Sequence, residues 1–110
     1  MLSKPADKVV FAEDKLEQAF KFLSEQDWLK KAIQKTIDNL KQNAFYGQPI
    51  SKKLIPKEYI EKYNTDNLWW VPLPNAWRLI YSIMGVNNIE ILAIIIDYFD
   101  HKTYERKFQY

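Results

Sequence analysis

The sequence predicts an α+β domain, and three observations predict it. Leu68 to Phe99 reads as consecutive strands rich in aromatic and β-branched residues, broken only at Pro74-Asn75 and at Gly85 to Asn88. Ahead of them, Leu16, Ala19, Phe20 and Leu23, and then Trp28, Leu29, Ala32, Ile33, Ile37 and Leu40, recur at helical spacing. A short apolar run, Lys8 to Ala12, precedes both helical segments. The expected architecture is two N-terminal helices packed on one face of a small antiparallel sheet, with a short C-terminal helix or tail.

Taken in order, Lys8 to Ala12 is a brief strand whose lysine suits a sheet edge. Glu13, Asp14 and Glu17 then sit where the dipole of a first helix favours acids. Asp27 is placed to cap a second helix, whose outer side carries Lys30, Lys31, Gln34, Lys35, Asp38 and Lys41 and is therefore basic. The connection from residue 43 to 67 exceeds ordinary loop length, so it needs structure of its own or a job. Within it, Pro56 can open a short helix with Tyr59, Ile60 and Tyr63 on its apolar side.

The sheet follows. Leu68 to Leu73 ends at Pro74-Asn75, which makes a tight reversal, and Ala76 to Met84 runs back. Gly85, Asn87 and Asn88 can supply the positive φ angles of the next turn. Ile89 to Phe99 is the third strand, and its unbroken apolar core, Ile91 to Ile96, belongs inside the sheet with both faces covered. In the middle strand, Trp77, Leu79, Tyr81 and Ile83 share one face while Arg78, Ile80 and Ser82 share the other. Trp69 and Trp70 must likewise point to opposite sides.

At 110 residues and 47% hydrophobic content, positions 1–110 form one domain with one core. With no cysteine and a single histidine, disulfide scaffolds, thiol nucleophiles, thiolate zinc sites and multi-histidine metal sites are excluded. The longest apolar run is too short to cross a bilayer and ends at Asp97 and Asp100, and no signal-peptide core is present, so a cytoplasmic protein is expected. The formal charge of +2 permits nucleic-acid binding without requiring it.

Particular residues narrow the reading further. The basic connector from Gly47 through Lys52-Lys53-Leu54, the strand Trp77-Arg78-Leu79-Ile80-Tyr81-Ser82-Ile83, and the Ile-rich strand ending in Asp100-His101-Lys102, with Tyr104 just beyond, resemble the RelE/ParE superfamily of type II toxin-antitoxin toxins. The resemblance implies a RelE-like toxin silenced by a cognate antitoxin protein, a ribosome-associated endoribonuclease that cuts mRNA. It implies attack by a ribose 2′-hydroxyl on the adjacent phosphate, a metal-independent reaction that requires no cofactor, only a proton acceptor, a proton donor and positive charge. Carried over residue by residue, Arg78 would grip the scissile phosphate, and His101 and Tyr104 would take the acid/base and stacking positions. Lys52, Lys53, Lys102 and Arg106 would contact the RNA.

The chain also departs from that pattern. Where many active members carry a second arginine, it reads Asp97-Tyr98-Phe99-Asp100, and carboxylates beside the site would repel phosphate unless they point elsewhere. A non-catalytic binding module or decayed toxin on the same scaffold is therefore an alternative, and a ParE-like gyrase inhibitor is another. Each site residue also has a structural reading. Arg78 could pair with Asp97, Asp100 or Glu90, His101 could bond Asp100 or cap the last helix, and Tyr104 could pack on Phe108 or Tyr110.

Overall fold

The computed structural model describes residues 4–86 and 90–108. Among them the elements run β1 (Lys8–Phe11), α1 (Asp14–Phe22), α2 (Trp28–Gln42), β2 (Gln48–Pro49), α3 (Lys57–Tyr63), β3 (Trp69–Leu73), β4 (Trp77–Gly85), β5 (Ile91–Phe99) and α4 (His101–Phe108). The fold is α+β, with a five-stranded open sheet in the order β1-β5-β4-β3-β2.

The sheet is mixed, which corrects the expected antiparallel one. β2 to β5 alternate in direction, but β1 lies parallel to β5, with Val9 opposite Ala93 and Val10 opposite Ile94. Alternation of apolar residues looks the same read from either end, so the run Lys8 to Ala12 carries no information about its direction. β1 does lie at a sheet edge, and β5 lies inside the sheet as its apolar core demands.

Helices cover both faces, as the unbroken apolar core of β5 requires. On the first, Phe20 of α1 and Leu29, Ile33, Ile37 and Leu40 of α2 pack against Val71, Leu79, Tyr81, Ala93 and Ile95. On the second, Tyr59 of α3 and Tyr104 and Phe108 of α4 pack against Ile80, Ile96 and Phe99, joined by Ile50, Ile55 and Leu68. Ile33, Leu40, Leu79 and Ile80 are wholly buried, and each such burial contributes about 1.5–3 kcal/mol. Trp69 joins the first layer and Trp70 the second, as their adjacent positions require.

Local signals explain the element ends. Asp27 caps α2, its carboxylate accepting from the Leu29 N–H at 2.8 Å. Lys30 does not stand on a free basic face. It folds back so that its ammonium reaches the Lys21 and Leu23 carbonyls at the end of α1 and pairs with Glu25. Pro56 precedes α3, but Ile60 faces solvent while Tyr59 is buried. The reversal at Pro74–Ala76 places Asn75 at φ 60° and Ala76 at φ 63°, so strand β4 starts at Trp77. Gly85 belongs to β4, opposite Ile91, while Asn87 and Asn88 of the second predicted reversal, and Ile89, the predicted start of the third strand, lie outside the described residues.

The long connection is held by the Tyr81 hydroxyl. It donates to the Ala44 carbonyl at 2.7 Å and accepts from the Gly47 N–H at 3.0 Å. A β-carbon on Gly47 would meet the Trp70 carbonyl oxygen at 2.6 Å, so only glycine lets the chain pass this close to β3. Among the described residues, no helix is long and apolar enough to cross a membrane.

Candidate functional site

Alternation along β4 puts Arg78 on the face that α3 and α4 cover, opposite Phe99 on β5 and Pro72 on β3. Its guanidinium lies between two rings. The Cζ atom is 4.1 Å from the Trp70 ring centroid and 4.4 Å from that of Tyr104. Tyr104 is in turn stacked on Phe108 at 4.6 Å and 15°. Trp70, Arg78, Tyr104 and Phe108 thus form one continuous ladder across β3, β4 and α4. Two cation–π contacts, each worth about 0.5–2 kcal/mol, hold the guanidinium. Among the described residues no carboxylate pairs with Arg78, which is half-buried. A guanidinium is planar and carries its N–H donors in that plane, the fork that receives a phosphate or carboxylate in bidentate fashion.

The two aspartates that threatened this site are turned to other work. Asp100 caps α4 by accepting from the Thr103 N–H at 2.9 Å. That bond, supplemented by Arg106 and Lys102, holds its carboxyl below the ordinary range. Asp97 is redirected by a bulge. Ile80 pairs with Asp97 but Tyr81 with Ile95, so Ile96 is an extra residue, and Ile96 and Asp97 fall on the same face. Strict alternation would have sent Asp97 into the α1–α2 core.

Asp97 instead meets the Tyr59 hydroxyl at 3.5 Å and the Lys107 ammonium at 3.6 Å. It borders a cavity of about 180 Å³ that Glu13, Lys62 and Tyr63 also line. Burial pushes the Asp97 carboxyl up, and Lys107 opposes the shift. Burial likewise raises the Tyr59 phenol, helped by the Asp97 charge. An aspartate inside an apolar strand was the available signal for this cluster. Its destination depended on the bulge.

The other expected site residues are distributed around α4. Tyr104 is 0% exposed, so its ring positions Arg78 and does not itself reach a ligand. His101, with 43% of its side chain exposed, bonds Glu105 one turn along through Nε2 at 2.6 Å and not Asp100. Lys102 and Arg106 are exposed one turn apart on the same helix. No hydrogen bond, ion pair or ring contact joins His101, Lys102 or Arg106 to Arg78 among the described residues. Lys52 and Lys53 are exposed on a 3-10 turn, Lys52–Leu54. Lys53 shares a cavity of about 270 Å³ with Pro56, Lys107 and Phe108, which brings the connector to the last turn of α4. Lys52 lies toward Asp66, whose carboxyl is held low first by a bond from Asn67 and only slightly by Lys52.

No family model, no curated protein and no solved structure matches this chain. The site is therefore read from its own chemistry. It offers a half-buried arginine held against two rings with no carboxylate partner among the described residues, and, on the helix that covers it, an imidazole that bonds Glu105. Among the described residues no group of three or more acidic or histidine side chains could hold a metal ion.

Proposed function

We propose that this chain is the toxin of a RelE-like type II toxin-antitoxin pair, acting in the cytoplasm as a ribosome-associated mRNA endoribonuclease and silenced by a cognate antitoxin. The observation that carries the proposal is Arg78, a half-buried guanidinium ringed by Trp70 and Tyr104 with no acidic partner among the described residues. Such a cation is poised to take an anion from outside. In this reading Arg78 binds the scissile phosphate and stabilises the charge that grows on it as the 2′-hydroxyl attacks. His101 is the imidazole of the acid/base position, Tyr104 positions Arg78, and Lys52, Lys53, Lys102 and Arg106 meet the RNA backbone.

The test is cleavage of mRNA on purified, programmed ribosomes, mapped by primer extension, beside growth on induction without a partner gene. The native chain should cut and arrest growth, and Arg78→Ala should lose about 10²–10³ in rate, the scale for removing one transition-state charge donor. An intact, folded chain that leaves mRNA whole and is harmless to its host would overturn the proposal.

One observation favours a second reading, a non-catalytic binding module on the same scaffold. Tyr104 is sealed in the core and His101 is held by Glu105, leaving Arg78 as an anion-binding residue without a proton-transfer partner in contact. That reading expects RNA binding which depends on Arg78 and no strand cleavage.

A further inference from the structure

The largest concave surface among those described here lies away from Arg78, between α2 and β3. It encloses about 440 Å³, within the range of genuine binding pockets. Its floor is Val71, Leu73 and Ala32, and its rim carries Trp28 and Tyr46, 40% and 47% exposed. Trp28 is fixed in place, packed edge-on against Trp77 at 5.8 Å and 80°. Lys31 and Lys35, one helical turn apart, form the wall, and no carboxylate lines the groove. Neither lysine has an ion-pair partner among the described residues. The same two lysines also border the neighbouring hollow on the outer side of α2, where Glu25 pairs with Lys30 and Asp38 accepts from Gln34, so neither acid is spent on them.

Rigid, exposed aromatic groups over an apolar floor are the features of an interface anchor. Two unpaired lysines beside them select the sign of the partner's charge. The floor of Val71, Leu73 and Ala32 offers a nucleobase no polar match and the Thr36 hydroxyl donates to the Ala32 carbonyl at 2.9 Å, but Asn39 and Tyr46 also line the groove, so single-stranded RNA is the competing occupant in the test. We infer that the groove between α2 and β3 docks an acidic segment of a partner protein, with one bulky apolar side chain seated against Trp28 and carboxylates meeting Lys31 and Lys35. The inference stands apart from the RNA reading, because Val71 and Leu73 belong to the α1–α2 layer whereas Arg78 is on the other face of the sheet.

The test titrates the full chain with fluorescent short peptides in which Glu and Asp flank a single Leu or Phe, followed by anisotropy and by tryptophan emission. Control peptides carry Ser at the anchor or Lys in place of the acids, and a single-stranded RNA oligonucleotide competes. The acidic, anchored peptides should bind and perturb tryptophan emission, with both controls failing. The exposed-site double variant Lys31→Glu/Lys35→Glu should lose roughly tenfold or more in affinity, the scale of two solvent-exposed charge contacts reversed, while Arg78-dependent RNA binding is unchanged. Absence of peptide binding, equal binding by the charge-reversed chain, or displacement of the peptide by RNA that does not need Arg78 would each overturn the inference.

Discussion

The Tyr104 ring lies 4.4 Å from the Arg78 Cζ atom, and this contact ties the last helix to the centre of the sheet. Because Tyr104 is fully buried, its ring and its hydroxyl have separable consequences. Tyr104→Phe keeps the stack but removes a fully buried hydroxyl, and should cost about 1–3 kcal/mol in denaturant unfolding. Tyr104→Ala should cost about 3–5 kcal/mol. Ribosomal cleavage should survive Tyr104→Phe; its loss with the fold intact would give the hydroxyl a chemical role instead of a positioning one.

Arg78→Lys should not rescue Arg78→Ala. An ammonium keeps the charge but has neither the planar face that fits between Trp70 and Tyr104 nor the fork that grips an anion in two places. Filter binding of single-stranded RNA should weaken for both variants, with a salt slope shallower by about one charge for the alanine. Wild-type affinity in the lysine variant would show that charge alone is enough.

Asp97 carries a pH prediction. Its carboxyl is raised in the folded state, so the native chain binds more protons than the unfolded one between the ordinary aspartate range and the raised value. In that window stability at this site falls as pH rises, and above it the penalty is complete. Asp97→Asn should therefore raise Tm at neutral pH, with the gain vanishing below the ordinary carboxylate range. Asp100 has the opposite sign, since its lowered carboxyl contributes stability that is lost as pH falls through its folded value. Thermal melts of the native chain and Asp97→Asn across mildly acidic pH separate the two, because Asp100 is common to both.

The link between helix α2 and strand β2 should be fragile at two positions. Gly47→Ala forces a β-carbon against the Trp70 carbonyl oxygen and the Tyr81 ring, an overpacking that costs about 1–3 kcal/mol. Tyr81→Phe strips a partner from both the Ala44 carbonyl and the Gly47 N–H, at about 1–3 kcal/mol. Chemical denaturation checks both, and a neutral Tyr81→Phe would show that water replaces the hydroxyl.

Much of the layout was legible in the residues alone, wherever a short-range pattern suffices. Period-two alternation placed Trp77, Leu79 and Tyr81 opposite Arg78 and Ile80, and separated Trp69 from Trp70. Asp27 was readable as a cap, Pro74-Asn75 as a reversal and Arg78 as a residue in need of a partner. The kind of partner was not readable. The expected acids were Asp97, Asp100 and Glu90, but the guanidinium rests between rings from β3 and α4, distant in sequence.

Composition and periodicity thus determined the α+β class, the interior position of β5 and the presence of a lone arginine within an apolar strand. Only the tertiary structure decided that β1 runs with β5, that α3 and α4 together shield the second side of the sheet and that Asp97 faces Tyr59 and Lys107. The physical reason is range. Side-chain alternation is a property of neighbours along one strand, whereas strand direction, a single extra residue in a ladder and the stacking of an arginine are settled by which distant segments pack together.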